Sequence, residues 1–454
     1  MNNTYSQHIH EFLLETEPYI SNVNSLPFET AIELYDLIDE AAKAATLHIN
    51  EIDPEYRVAL CDRQDQILER IVDEMPPFEH TGEQLRVYAP SLIGYRRWNN
   101  FELLKDCGLV PYFLAKELNA KPVMYFGTQP SDYPYLNDLP GMEMHYHDRE
   151  DGLEEAYKNF MVNNFSKMDV LVFYGMYNQS ISYLDGYRQV RPDGKVYCGL
   201  DMNFWWMDQI VWDSIPGKQF SEQCDIIATS CRMVRDALNR NPTVHFPCRW
   251  FTNGFFNPTG STVVTNAEIK ENIILTVGRI GTKQKNNEEL LTAFAEVSDS
   301  LNGWSLRLVG PIEHEFQSYI NNYFLKYPQL KSRVIFTGSI VEKAELYSEY
   351  AKAKIFALTS MEEGFPNVYA EALFHGCMFI TSEIEAADDM INYGELGYKY
   401  PIEDIDALKS TLIDACSKVD IKMMREHIPK ALVYANKFYD WNRNAKKLAY
   451  MLFK

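Results

Sequence analysis

The chain has 454 residues, 46% of them hydrophobic and 24% charged, the composition of a globular protein with material for two cores. A formal net charge of −21 argues against nucleic acid as a partner and against a broad electrostatic hold on anionic lipid. No segment reaches the ~18 uninterrupted apolar residues of a membrane span, and Met1 to Ser6 lack the basic-then-apolar pattern of a secretory signal.

Residues 1–80 read as three amphipathic helices. The clearest places Phe28, Ile32, Tyr35, Ile38, Ala42, Ala45 and Ile49 on one face, with Glu29, Glu33 and Asp36 outside. The next begins near Pro54 and stops before Pro76-Pro77. Such stripes must be buried, and the acidic outer faces do not suit a membrane surface. Docking on the N-terminal domain, beside its acceptor side, or on a second subunit is expected.

Residues 81–255 alternate strand and helix, the pattern of a parallel sheet covered by helices. The strand candidates are Leu85–Ala89, Pro122–Phe126, Val170–Tyr174, Lys195–Cys198 and Ile226–Thr229. The loop after the first of them carries Gly94, which lets backbone approach a ligand, and the adjacent cations Arg96 and Arg97. His145, His147 and Asp148 have the look of metal ligands but read as a polar surface loop. Asp201 and Asn203 follow another strand; capping of the next helix is the plainer role for Asp201. Residues 256–272, with Pro258 and Gly260, read as a linker.

A second α/β run extends to about residue 430. Ile273–Val277 is an apolar strand ending in Gly278-Arg279, and Lys285 follows six residues after Arg279, just before an amphipathic helix. Cations at the C-terminal end of a strand sit where open α/β sheets bind ligands. Arginine offers a planar fork to phosphate oxygens and lysine a mobile point charge; both side chains are expected to face solvent. Another strand, Arg333–Thr337, ends at Gly338, and a third, Lys354–Leu358, leads into Glu362-Glu363-Gly364-Phe365-Pro366-Asn367-Val368. Glu363 falls in that loop and Glu371, eight positions on, about two turns into the following helix. The helix N-terminus is a natural anion site, and carboxylates beside it suit the hydroxyls of a sugar. Together they describe a nucleotide sugar, although acids near helix starts also serve simply to complement the dipole. His375 is read as a charged residue matching a helix C-terminus, and Asp404-Ile405-Asp406 as a helix cap rather than a metal motif. The eight cysteines, among them Cys107, Cys198 and Cys377, lack C-x2-C spacing and read as reduced, mostly buried thiols of a cytoplasmic protein.

On Gly278-Arg279, Lys285, Glu363 and Glu371, the chain resembles family 4 of the retaining GT-B glycosyltransferases, which carry a Gly-Arg…Lys phosphate grip and an E-x7-E motif. Arg333–Ser339, Glu342–Tyr347, Asn253-Gly254 and Phe438–Trp441 resemble further family segments. The resemblance implies an α/β fold of GT-B architecture, two Rossmann-like domains facing a cleft with an N-terminal helical extension. The expected division is 1–80 for the extension, 81–258 plus 437–454 for the acceptor-side domain, and 259–436 for the nucleotide-sugar domain.

The resemblance also implies roles. Arg279 and Lys285 neutralise the leaving diphosphate, with backbone N–H groups of Gly364, Asn367 and Val368 sharing the load. Glu371 holds the ribose and Glu363 the donor sugar; Gly278, Gly338 and Phe365 complete the donor side. Gly94, Arg96, Arg97, Asp201 and Asn203 are candidates for the sugar or acceptor side, although the loop at Gly94 has one glycine where family members carry several. The implied reaction is retaining transfer of a hexose or N-acetylhexosamine from a nucleotide diphosphate sugar, UDP-sugar favoured, to a glycan, lipid-linked or protein acceptor. No cofactor and no metal are expected, and a homo-oligomer or a partner glycosyltransferase is the expected kind of assembly. The alternative is a non-catalytic, partner-binding module of the same fold; retention of all four charged residues argues against it.

Overall fold

A computed structural model describes residues 4–90, 103–126, 134–146, 153–176, 178–200, 202–258, 260, 263 and 265–454. The chain forms two units, residues 1–253 with 441–454, and residues 254–440.

The first unit holds a seven-stranded parallel sheet: β1 Arg86–Pro90, β2 Lys121–Phe126, β3 Glu143–Tyr146, β4 Val170–Tyr174, β5 Lys195–Leu200, β6 Ile226–Thr229 and β7 Cys248–Trp250. Their spatial order is β3-β2-β1-β4-β5-β6-β7. Val170 to Phe173 of β4 are buried on both faces, as parallel strands between helical layers require. Strands β3 and β7 escaped the sequence reading because Glu143 and His145, and Arg249, interrupt runs of only four and three residues. His145 is therefore a strand residue, not part of a loop, and its Nε2 lies 2.6 Å from the Glu143 carboxylate.

The N-terminal segment forms helices α1 Thr4–Ile20, α2 Phe28–Leu47 and α3 Pro54–Glu74. Asp53 caps α3 by accepting the Glu55 N–H at 3.0 Å, with Pro54 in the first turn. Tyr35, Ile38, Ala42 and Ala45 of the α2 stripe are buried, while Glu29, Glu33 and Asp36 are exposed. The three helices belong to the first unit: α3 packs on β7, on the helix Arg232–Arg240 and on the last helix, Trp441–Phe453. They thus cover an edge strand that would otherwise offer unpaired backbone. The seam is ionic as well as apolar. Arg235, 1% exposed, pairs with Asp62 and Asp65, Lys447 and Arg443 with Glu69, and Arg57 donates to the carbonyls of Val244 at 2.9 Å and Phe246 at 3.2 Å.

The second unit holds a six-stranded parallel sheet: β8 Glu271–Val277, β9 Ser305–Val309, β10 Val334–Gly338, β11 Ala353–Leu358, β12 Met378–Ser382 and β13 Gly397–Tyr400. The order β10-β9-β8-β11-β12-β13 places a switch point between β8 and β11, from which the chain builds outward in opposite directions. The boundaries fall at Asn253/Gly254 and Asp440/Trp441 rather than at the expected 258/259 and 436/437. Phe255 decides this, because its N–H donates to the Tyr439 carbonyl at 2.8 Å and its ring stacks on Phe374. Trp441, by contrast, stacks on Phe113 of the first unit.

Candidate functional site

Three neighbouring strands of the second sheet end at or run directly into glycine: Gly278 after β8, Gly310 after β9 and Gly338 at the end of β10. The Gly278 N–H donates to Val309 O at 2.9 Å, and the Gly310 N–H to Gly338 O at 2.9 Å. Gly310, at φ +142°, lies so close to β8 that an added Cβ would sit 1.8 Å from Gly278 O. Gly278 itself, at φ +151°, occupies backbone that only glycine takes readily. Gly310 is a site residue the sequence reading passed over. Its signal was present, since Leu308-Val309-Gly310 repeats the strand-then-glycine pattern of Gly278 and Gly338.

The segment after Gly278 is bound to the loop after β11, across the switch point. Arg279 is exposed and donates to the Gln284 side chain at 2.7 Å. Gln284 in turn donates to Glu362 O at 3.1 Å, and its own carbonyl accepts the Met361 N–H at 2.8 Å. Asn286 takes the left-handed conformation, φ +46°, that turns the chain into the helix Asn287–Val297. Thr359 clamps that turn by donating to Lys285 O at 3.0 Å.

Lys285 is less accessible than expected. Its side chain is 15% exposed and its ammonium pairs with Glu363, itself 11% exposed. Ser360 Oγ donates to the same Glu363 oxygen at 2.8 Å. Lys285 and the first acid of the E-x7-E pattern are therefore one ion pair.

The helix carrying the second acid runs Asn367–Phe374, so Glu371 lies just over one turn in, not two. Pro366 precedes it, and Gly364, Asn367 and Val368 remain partly exposed at its N-terminal end. The Phe365 side chain does not face outward. It is buried, stacked on Tyr439 with ring centres 5.6 Å apart and edge-on to Tyr369. Its part in any donor contact is confined to its backbone.

Glu371 is held from two sides by residues the sequence reading did not assign to it. Lys343 Nζ donates to one oxygen at 3.1 Å and the Tyr350 hydroxyl to the other at 2.7 Å. Burial first, and then the Glu371 charge, push the Tyr350 hydroxyl well above its ordinary pKa, so it stays a donor. Below Glu371, His375 Nδ1 donates to the Glu371 carbonyl at 2.6 Å. His375 is 2% exposed and burial pulls it down to about 4. It is a neutral core residue rather than the charged dipole partner expected from sequence. That task falls to Lys270, whose buried ammonium donates to Tyr350 O at 3.1 Å, Ala353 O at 2.6 Å and His375 O at 2.7 Å. One cation thus satisfies the carbonyl ends of two helices at once.

Gly94, Arg96, Arg97 and Asp201 lie outside the described residues, as do His147 and Asp148. Asn203 is buried, and its Oδ1 accepts the Trp206 N–H at 3.0 Å, capping the helix Phe204–Asp208. Asp404 caps the helix Ile405–Lys418 through the Ala407 N–H at 2.9 Å, and Asp406 pairs with Lys409. Among the described residues no three His, Cys, Asp or Glu side chains gather as a metal centre would need, and no helix is long and apolar enough to cross a membrane.

Residues 271–418 match the family described as Glycosyl transferases group 1. No curated protein matches the chain. Among solved structures, the chain is similar to a sucrose-phosphate synthase from Thermosynechococcus elongatus, with 17% identity, TM-score 0.59 and coverage of 80% of this chain and 97% of that one. It is also similar to the apo form of the lipopolysaccharide outer core galactosyltransferase WaaB, at 17% identity and TM-score 0.57, covering 82% and 99%. HepE from Anabaena in complex with UDP-glucose matches at 13% identity and TM-score 0.58, covering 81% and 99%. At these identities the likeness shows the fold, which is GT-B, in agreement with the two parallel sheets and their helical extension.

Proposed function

The chain carries a group 1 glycosyl transferase domain over residues 271–418, and on that premise we propose that it is a retaining, metal-independent glycosyltransferase. It moves a hexose or N-acetylhexosamine from a nucleotide diphosphate sugar, UDP-sugar favoured, to a glycan, lipid-linked or protein acceptor. Surface polysaccharide or glycoconjugate synthesis in the cytoplasm is the setting that suits such a reaction. The UDP complexes of HepE support the choice of base.

The observation that carries the proposal is the switch-point cluster: Arg279, the Lys285–Glu363 pair, and Glu371 with Lys343 and Tyr350, all on the segments that follow β8, β10 and β11. On this reading a donor diphosphate lies against Arg279, Lys285 and the N-terminal N–H groups of the helix Asn367–Phe374. As the bond from sugar to phosphate breaks, negative charge grows on the diphosphate, and fixed cations stabilise it without reorganising. Glu363 is then free to accept from sugar hydroxyls and Glu371 from the ribose, with Ser360 and Tyr350 holding each acid in place. The glycines at 278, 310 and 338 give backbone room for the nucleotide.

Purified protein incubated with a panel of nucleotide sugars should release nucleoside diphosphate from one of them, by slow hydrolysis or by transfer to an added acceptor. No release from any donor, with no donor raising the melting temperature, favours the partner-binding module instead.

A further inference from the structure

A second charged cavity, of about 270 Å³, lies in the first unit at the N-terminal ends of its strands. Lys195 opens β5, Ile226 opens β6 and Pro247 precedes β7; α2 and the last helix close the sides through Asp39, Lys43 and Lys454. In a chain of net charge −21 its lining is cationic, with Lys43, Lys195, Arg249 and Lys454 against Asp39 and Asp225.

The two carboxylates do not balance these cations locally. Asp225 is turned to the backbone N–H of Val196, at 2.7 Å, and to Arg188, at 2.9 Å. Asp39 meets three cations, Arg249, Lys43 at 2.8 Å and Lys454 at 2.9 Å, the last shared with Asp36 at 3.0 Å, and it also accepts from Gln64 at 2.9 Å. Lys195 faces the Phe453 ring at 5.9 Å and pairs with no carboxylate among the described residues. Arg249 is 4% exposed, and its Nη1 is buried without a hydrogen-bond partner. A buried guanidinium nitrogen left unpaired is costly, and Arg249 also lines the cavity.

We propose that this cavity binds a phosphate-type oxyanion, free or carried on a small phosphorylated metabolite. A guanidinium fork with flanking lysines is the donor set that a tetrahedral dianion takes, and the Ser221 hydroxyl and His245 imidazole add polar groups to the wall. A volume of about 270 Å³ suits a phosphate with a small substituent, since pockets for drug-sized ligands begin near about 300 Å³. The site does not depend on the glycosyltransfer reading, because it lies in the other unit and at the opposite ends of the strands.

Calorimetric titration of inorganic phosphate and of glucose 6-phosphate into the Arg279→Ala protein tests this, that background removing the exposed cation proposed to take the donor diphosphate. Saturable binding below about 1 mM, equivalent to about 4 kcal/mol, is expected, weakened at least tenfold by Lys195→Ala and by Lys43→Ala. The exposed control Lys331→Ala should leave it unchanged. Tighter binding of the sugar phosphate identifies a metabolite as the occupant, and equal binding identifies free phosphate. Absence of binding for both probes, or affinity unaltered by Lys195→Ala and Lys43→Ala, overturns the proposal.

Discussion

Lys285 and Glu363, 78 positions apart, form a mostly buried ion pair across the switch point of the second sheet. The pair ties Lys285 to Glu363, so neither can be altered without disturbing the other. It also separates Lys285 from Arg279, which is exposed and, among the described residues, held only through Gln284.

The two cations should therefore respond differently to truncation. Arg279→Ala and Lys285→Ala are each expected to lower turnover by roughly 10²–10³, the loss that follows removal of one preorganised charge stabiliser. Arg279→Ala should leave stability unchanged, whereas Lys285→Ala strands Glu363 and should cost about 1–3 kcal/mol in urea denaturation. Near-normal turnover of both variants removes these residues from the chemistry.

Glu371→Gln keeps the shape but not the charge that Lys343 and Tyr350 hold. Donor KM and product Kd should each rise about tenfold, which is 1.4 kcal/mol, with a smaller effect on kcat. A loss confined to kcat would show that Glu371 does not anchor the nucleotide.

Chelation offers a third measurement. With charge on the diphosphate met by Arg279, Lys285 and a helix end, excess EDTA should leave turnover nearly unchanged. A strict need for Mn²⁺ or Mg²⁺ would contradict the proposed metal independence.

Two buried histidines set a pH dependence. His375 and His427 are both pulled down to about 4 by burial, His375 donating from Nδ1 to Glu371 O and His427 from Nε2 to Cys377 O. An unfolded histidine titrates near 6.5. Between about pH 6.5 and pH 4 the unfolded chain binds protons that the native state refuses, so stability falls as pH falls. Each histidine contributes up to about 1.4 kcal/mol per pH unit across that window, and nothing further below it. The variant with His375→Asn and His427→Gln keeps a donor at each position and should show a flatter profile in urea melts from pH 7 to pH 4. An unchanged slope would assign the acid sensitivity elsewhere.

The helical extension should prove integral to the first unit. Its removal strips Arg235 of Asp62 and Asp65, strips Arg249 of Asp39, and uncovers β7. Residues 81–454 should accumulate as insoluble protein, and Asp65→Asn alone should cost about 1–3 kcal/mol, because Asp62 and Asp236 still pair with Arg235. A soluble, monodisperse truncation would make the extension a dispensable appendage.

What the sequence alone determined was local. Continuous apolar runs such as Val170–Phe173 and Ile273–Val277 are strands buried on both faces, and each can be read from a few adjacent residues. Glycine after a strand, at 278 and 338, and two acids eight apart likewise pointed to one end of the second sheet as the expected place for a ligand. Tertiary structure decided how the charges are shared. The pairing of Lys285 with Glu363, the hold of Lys343 and Tyr350 on Glu371, and the burial that neutralises His375 while Lys270 takes over the helix ends all join residues from separate elements. So do Arg235 with Asp62 and Asp65, more than 160 positions apart. Periodicity reports which face of an element is buried. Which charge meets which carboxylate is set by the order of strands and the path of loops between them, and the physics of a buried charge acts only once that order exists.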